Sequence, residues 1–274
     1  MKKTTSWQDL LHPGDAQDFF SRRAFPSFDP AAKAYHGGNA LWLAELSRIA
    51  YRRDIEEEAK PVQPTRTSLL ARVGLQQQSF FGSRKTGTQA MLIKSVVPPV
   101  FAVLVFRGTE QRIKDFVTDI EIGAPPLAEG KPEVHKGFKE ALDSIWHEVD
   151  AALSALNCPI FFTGHSLGAA LATLSAARRT PNAVYTFGSP RVGNEAFVTS
   201  LREVPVYRVV DDEDVVTILP PKALGFKHVG TAHVLTAPRA KAWFGLINRS
   251  LSFLRPPKHL ADHAPINYVD RIIL

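Results

Sequence analysis

Cysteine is nearly absent from this chain, whose 274 residues contain only Cys158. A single cysteine excludes a disulfide within the chain and a structural zinc site built on several cysteines. Long apolar runs are also missing: the longest extends from Ser95 to Phe106, and Pro98 and Pro99 interrupt it. Because a helix needs about 20 consecutive apolar residues to cross a bilayer, the sequence predicts no transmembrane segment.

A signal peptide of the Sec type is not recognisable either. The basic start, Met1-Lys2-Lys3, is followed by Trp7-Gln8-Asp9 and not by an apolar core. We therefore expect a soluble protein, either cytoplasmic or exported without a recognisable N-terminal signal. Residues 1–37 show no clear period and are predicted to form an N-terminal arm. No linker divides the remaining residues, so 38–274 are predicted to form one domain.

The chain is basic, with 33 Lys and Arg against 27 Asp and Glu, but the excess is local. Residues 221–260 hold seven of these cations and no acid, and the rest of the chain is nearly neutral. A zinc pattern, an aromatic RNA-binding signature and a long basic stripe are all missing, so the charge does not predict nucleic-acid binding.

The pattern of apolar residues predicts an α/β fold. Asn39 is expected to cap a helix that runs to Tyr51, and helical spacing predicts one long helix from Phe138 to Leu156. Other helices are expected at 68–73, 169–178 and 194–201, and strands at 79–81, 90–96, 100–106, 159–163, 183–187 and 205–210. Short apolar strands that alternate with helices indicate a parallel sheet covered on both faces.

A candidate nucleophile lies in Gly164-His165-Ser166-Leu167-Gly168, which fits the pattern G-x-S-x-G. An apolar strand leads into it and an alanine-rich helix leaves it, which is the setting of a nucleophile elbow. Such a turn holds Ser166 in a strained conformation, and glycines at 164 and 168 avoid collisions between Cβ atoms and neighbouring backbone. The alternative is a tight turn with an incidental serine. His165 points away from its neighbour on such a turn, so we expect it to pack or hydrogen-bond beneath the elbow.

Four motifs, in order along the chain, resemble those of the class 3 lipases, the fungal triacylglycerol-lipase type of α/β-hydrolase. They are Val105-Phe106-Arg107-Gly108-Thr109, His135-Lys136-Gly137-Phe138, the segment 163–168 and Ser189-Pro190-Arg191-Val192-Gly193-Asn194. The chain resembles a bacterial-type member, with Ala169 where many members have a second glycine. The resemblance covers residues 38–274. It implies an α/β-hydrolase fold, with a mostly parallel central sheet flanked by helices and a lid-like helix.

The general acid–base partners follow from the chain order of α/β-hydrolases, which is serine, acid, histidine. Four acids, Asp211, Asp212, Glu213 and Asp214, follow the predicted strand at 205–210. The position of Asp214, before a Val-Val-x-x-Leu-Pro stretch, resembles that of the family's acid. Asp211 and Asp212 are the alternatives.

Four histidines follow these acids: His228, His233, His259 and His263. Together with Asp262, His263 resembles the family's Asp-His pair near the C-terminus, whose histidine is catalytic. His228 is the alternative.

The oxyanion hole needs two donors. One is the backbone N–H of Leu167, the residue after the serine. The other is expected from Thr109, through its backbone N–H and, by resemblance, its hydroxyl; the alternative for residues 107–109 is a simple turn. In the implied mechanism His263 takes the proton from Ser166, and neither a metal nor a cofactor is required.

Two segments suggest contact with lipid. Residues 111–120 place Ile113, Phe116, Val117 and Ile120 at helical spacing, where the resembling lipases have a lid. Residues 239–255 separate an apolar half from a basic one, as an interfacial helix does. The apolar residues are Trp243, Phe244, Leu246, Ile247, Leu251, Phe253 and Leu254. The alternative for both segments is permanent packing on the domain.

The sequence therefore predicts a serine carboxylic ester hydrolase, a lipase that cleaves acylglycerol esters through an acyl-enzyme. A phospholipase A1 or a feruloyl-type esterase would use the same residues. The alternative from a different class is a catalytically silent module that binds lipid surfaces. Acyl chain length, natural substrate and oligomeric state are left open by the sequence.

Overall fold

The computed structural model describes residues 5–109, 120, 125–235 and 255–274. Seven strands lie side by side in chain order and form one sheet. They are β1 (Leu75–Gly82), β2 (Gln89–Ser95), β3 (Ala102–Phe106), β4 (Ile160–His165), β5 (Ala183–Phe187), β6 (Val206–Asp211) and β7 (Thr231–Leu235). The first three strands pair antiparallel, and β3 to β7 pair parallel. The predicted mostly parallel sheet is confirmed, while β7 was not predicted.

Nine α-helices surround the sheet within the described residues. They are α1 (Trp7–Leu11), α2 (Gly37–Ile49), α3 (Arg66–Ala71), α4 (Lys136–Asp143), α5 (Trp146–Ser154), α6 (Leu167–Ala176), α7 (Glu195–Ser200), α8 (Lys258–Ala261) and α9 (Pro265–Arg271). Short 3-10 helices occupy Pro13–Asp15, Val215–Ile218 and Lys222–Leu224.

Each face of the sheet has its own apolar core. Because successive side chains of a strand point to opposite faces, Leu104 packs in one core and Val105 in the other. The first core includes Leu142 of α4 and Leu171 of α6, and the second includes Leu43 of α2. Crossovers of one hand between sequential parallel strands leave their helices on one face, and α4, α6 and α7 accordingly pack in the first core. The helices α2 and α9 pack in the second core and cover the other face. The predicted cover on both faces is confirmed.

The N-terminal arm packs on the rest of the protein. Ser6 and Asp9 form a reciprocal capping box at the start of α1. Leu10 of this helix lies in a small apolar cluster with Leu260 and Ile266, from α8 and α9. The arm therefore contacts the two helices on either side of His263.

The cap of α2 differs from the prediction. The helix begins at Gly37, and the ring of His36 accepts a hydrogen bond from the backbone N–H of Asn39 at 3.1 Å. The side chain of Asn39 instead bonds to both backbone groups of Asp29, at 2.8 and 2.7 Å. Asn39, the residue expected to cap α2, thus ties the N-terminal arm to this helix.

The long helix predicted over residues 138–156 is also wrong, because the structure has two helices, α4 and α5. Ile145, between them, leaves helical geometry with φ −130° and ψ −5°. Its side chain is nevertheless buried in the first core. The apolar period continues across the break, so spacing alone could not reveal it.

No helix in the described part of the chain is long and apolar enough to cross a membrane. The predicted lid at 111–120 and the predicted interfacial helix at 239–255 fall outside the described residues, apart from their last positions. Of these two, Ile120 is buried and Arg255 is exposed.

Candidate active site

Ser166 occupies a sharp turn between β4 and α6. Its backbone has φ +60° and ψ −125°, a region that side-chain-bearing residues rarely adopt. The serine N–H donates to the carbonyl of Phe187 at the end of β5, at 3.0 Å, which holds the turn against the sheet. This strand, strained serine and helix form the predicted nucleophile elbow.

Two glycines allow the elbow to be this tight. A Cβ atom on Gly164 would lie 2.3 Å from the backbone carbon of Gly168. One on Gly168 would lie 2.2 Å from the carbonyl oxygen of Phe106. Both distances are far below van der Waals contact, so each site requires glycine. The predicted collisions between a Cβ atom at position 164 or 168 and the neighbouring backbone are confirmed.

The elbow presents its serine to a histidine and a carboxylate. The Oγ atom of Ser166 lies 2.9 Å from Nε2 of His263. On the other side of the ring, Nδ1 lies 2.9 and 2.8 Å from the two carboxylate oxygens of Asp214. A carboxylate only accepts hydrogen bonds, so Nδ1 carries the proton and Nε2 is left to accept from the serine hydroxyl. All three side chains are buried.

Asp214 is fixed by its place after β6. It caps the 3-10 helix 215–218, accepting from the N–H of Val216 at 2.9 Å. Its other oxygen accepts from the hydroxyl of Tyr268 at 2.5 Å. Burial alone would raise the pKa of Asp214. His263 and the hydroxyl of Tyr268 outweigh burial and hold that pKa below its ordinary value, so the carboxylate stays ionised.

The alternative acids lie elsewhere. Asp211 forms an ion pair with Arg271 on α9, and burial raises its pKa to about 6. Asp212 is exposed, and Glu213 pairs with Lys258 at 2.5 Å. Of the four acids, only Asp214 has a hydrogen bond to His263 among the described residues.

The alternative bases also lie apart from the serine. His228 donates from Nε2 to the carbonyl of Thr217 at 2.8 Å, and burial, with Arg208 nearby, lowers its pKa to about 3. His233 stacks on the ring of Tyr35, and His259 is exposed. Of these histidines, only His263 contacts Ser166 in the described structure.

The expected oxyanion donors flank the elbow. Leu167 is the first residue of α6, so its N–H has no acceptor within the helix. Thr109 follows Gly108, and a Cβ on that glycine would lie 2.8 Å from the carbonyl oxygen of His165. The loop after β3 therefore passes directly beside the elbow.

Sequence reasoning missed two tyrosines of this site. Tyr268 on α9 binds Asp214, and Tyr51, just after α2, lies 2.9 Å from Nδ1 of His165. A buried tyrosine hydroxyl needs a polar partner, but the sequence does not say which one. The prediction that His165 hydrogen-bonds beneath the elbow is confirmed.

The arrangement can activate a serine. A hydroxyl bonded to an imidazole, itself oriented by a carboxylate, can lose its proton as it attacks a carbonyl carbon. Within the described ranges, no three His, Cys, Asp or Glu side chains come together as a metal site.

Comparison with known proteins identifies a family and a set of relatives. Residues 103–224 match the family described as Lipase (class 3). Secreted mono- and diacylglycerol lipase 1 of Fusarium solani is 41% identical over 113 residues, 37% of this chain and 34% of that protein. Phospholipase A1-II 1 of Oryza sativa subsp. indica is 30% identical over 164 residues, 47% of this chain and 41% of that protein. The chain spans less than half the length of these two relatives.

Solved structures show the same similarity. Lipase II from Rhizopus niveus aligns with a TM-score of 0.60 and 26% identity, over 72% of this chain and 80% of that one. The present sheet and helices therefore form an α/β-hydrolase fold. The family match runs from β3 to the 3-10 helix 222–224 and includes Ser166 and Asp214. Residues 103–224 are therefore similar to the class 3 lipase family, the family that the motifs of this chain resemble.

Proposed function

We propose that this protein is a serine carboxylic ester hydrolase that cleaves acylglycerol esters. The observation that carries the proposal is the hydrogen-bonded series of Ser166, His263 and Asp214 on a strained elbow. The match of residues 103–224 to the class 3 lipase family and the similarity to a mono- and diacylglycerol lipase support the substrate class.

The geometry supports the following roles. His263 takes the hydroxyl proton of Ser166 as its oxygen attacks the ester carbonyl carbon, and Asp214 stabilises the resulting imidazolium. The backbone N–H groups of Leu167 and Thr109 bind the oxyanion; each such donor is worth about 3 kcal/mol in the transition state. The imidazolium protonates the leaving alcohol, and water activated by His263 then hydrolyses the acyl-enzyme.

A series of p-nitrophenyl esters of increasing acyl length tests this proposal. We expect hydrolysis by the unaltered protein and a loss of at least about a thousandfold in kcat for Ser166→Ala. Ser175→Ala is the matched control, since this serine lies on the same helix and its hydroxyl bonds, among the described residues, only to the carbonyl of Leu171. Full activity of Ser166→Ala would contradict the site. Absence of hydrolysis of any ester by the unaltered protein would favour the silent lipid-binding module.

A phospholipase A1 activity is the second candidate. It is favoured by the similarity to a phospholipase A1 of rice and by the seven cations of residues 221–260, which suit an anionic headgroup. Release of the sn-1 fatty acid from a phospholipid with two different acyl chains distinguishes it. Equal or faster release from a diacylglycerol of the same chains would favour the lipase.

The location of the protein is a further part of the proposal. The sequence left two locations open, the cytoplasm and export without a recognisable signal. Similarity to a relative named as secreted supports export. Detection of the protein in the culture medium of intact cells tests this point.

A further inference from the structure

His165 lies between two residues that are distant in sequence. It is the last residue of β4, directly before Ser166, and its side chain is buried. Its Nδ1 atom is 2.9 Å from the hydroxyl of Tyr51, and its Nε2 atom is 2.7 Å from the backbone carbonyl of His263. The rings of the two histidines are 4.5 Å apart between centroids.

The partners of His165 determine which nitrogen carries its proton. A carbonyl oxygen only accepts, so Nε2 of His165 is the donor to His263. Burial, with His263 nearby, lowers the pKa of His165 to about 3, so its ring is neutral at pH 7. In a neutral ring with a proton on Nε2, Nδ1 accepts, and the hydroxyl of Tyr51 donates to it.

The backbone of His263 is held at both of its polar groups. His263 lies in the short link between α8 and α9, where its own N–H donates to Leu260 at 3.1 Å. Asp214 holds the side chain through Nδ1, and His165 holds the carbonyl. These contacts together fix the peptide plane and the ring that faces Ser166.

We infer that His165 is a positioning residue for His263, acting through the hydrogen bond to its backbone carbonyl. The hydroxyl of Tyr51 favours the form of His165 that carries its proton on Nε2. This inference rests on the proposed function. A neutral His165 also avoids a second positive charge beside His263 when that ring is protonated during acyl transfer.

Two substitutions of His165 and one of Tyr51 test the inference with a p-nitrophenyl ester as substrate. His165→Leu keeps apolar volume but has no donor, and we expect kcat to fall about 10- to 100-fold with KM within about twofold. His165→Gln places an amide N–H near the position of Nε2, and its kcat should stay at least about fivefold above that of His165→Leu. Tyr51→Phe removes the selecting hydroxyl and should lower kcat less than His165→Leu does.

The control for folding is His165→Asn, whose amide is as polar as that of glutamine but too short to reach the carbonyl. If the leucine variant does not fold, a higher kcat for Gln than for Asn still supports the inference. Equal losses in Gln, Asn and Leu would overturn it, because the ring would then act by packing alone. An unchanged kcat in His165→Leu would also overturn it.

The failure of the proposed function gives a different result. If the unaltered protein shows no hydrolysis that depends on Ser166, the function itself fails. If that hydrolysis is present and the His165 series behaves as packing predicts, only the positioning role fails. Covalent labelling of Ser166 by a fluorophosphonate gives a second readout, since its rate depends on the orientation of His263 and not on ester binding.

Discussion

Gly188 borders the carboxylate of Asp214 so closely that a Cβ atom on the glycine would lie 2.7 Å from Oδ2 and 3.0 Å from Nδ1 of His263. Gly188 also has φ +60°. We predict that Gly188→Ala separates the carboxylate from the imidazole and lowers kcat at least about tenfold, in addition to destabilising the fold by about 1–2 kcal/mol. Ester hydrolysis and urea unfolding measure the two effects.

Gly87→Ala is the matched control for this substitution. Gly87 has φ +68°, but a Cβ atom there meets nothing within 4 Å. The Gly87→Ala variant should have its free energy of unfolding lowered by a similar amount and should keep its activity. Equal activity in the two variants would show that the space beside Asp214 is not required.

Tyr268 supports the same carboxylate from α9. Tyr268→Phe removes a hydroxyl that donates to Asp214 at 2.5 Å and accepts from the backbone N–H of Asp211 at 3.3 Å. We expect kcat to fall about tenfold and the free energy of unfolding to fall by about 1–2 kcal/mol, because a buried N–H loses its partner. Tyr35→Phe is the control, since the hydroxyl of Tyr35 donates to none of the described residues. A kcat loss of the same size in both variants would contradict the assignment.

Most of the elbow could be predicted, because its signals are local. The glycines at 164 and 168, the strand before them and the helix after them are contiguous in sequence. Their geometry follows from backbone sterics alone. The parallel part of the sheet could be predicted for a similar reason, since buried strands appear as short apolar runs.

Other parts depend on tertiary contacts and could not be predicted. The helix α1 has five residues, too few to be stable alone, and it is held by the cluster around Leu10. Edge strand β7 has mostly exposed side chains, so it lacks the apolar signal of its neighbours. Tyr51 and Tyr268 meet the site only because α2 and α9 pack on the same face of the sheet.

The lowered pKa of His228 predicts a loss of stability in acid. In the unfolded chain this histidine takes up a proton near pH 6.5, whereas in the folded protein it does so only near pH 3. Between these values the unfolded state binds more protons, so stability falls as pH falls, by about 2 kcal/mol between pH 7 and 5. His228→Gln should show a correspondingly smaller loss, measured by urea unfolding at both pH values.

His259→Gln provides the comparison, because His259 is exposed. It should retain the full pH dependence of the unaltered protein. If His228→Gln and the unaltered protein lose the same free energy of unfolding between pH 7 and 5, the assignment of His228 as buried and neutral is wrong.

The basic segment predicts binding to anionic lipid surfaces. Among the seven cations of residues 221–260, Lys227 and Lys258 have acidic partners in the described structure, Glu195 and Glu213. We expect binding to vesicles that contain an anionic phospholipid, weakening with salt, at about 1 kcal/mol for each cation near the surface. Vesicle sedimentation at increasing salt concentrations measures this binding.

Two variants with equal net charge locate the contact. One replaces Arg239, Lys241, Arg249 and Arg255 by glutamine. The other replaces the exposed cations Arg84, Lys85, Lys131 and Lys136 by glutamine. Only the first should lose binding. Equal, salt-insensitive binding of both variants to neutral vesicles would remove the predicted contact.

The central claim is that Ser166 is a nucleophile activated by His263. The most direct measurement is the covalent site of a fluorophosphonate, found by peptide mass spectrometry on the unaltered protein and on His263→Ala. We predict one adduct per chain, on Ser166, with a rate at least about a hundredfold lower in His263→Ala. An adduct on another residue, or equal labelling rates in the two proteins, would contradict the claim.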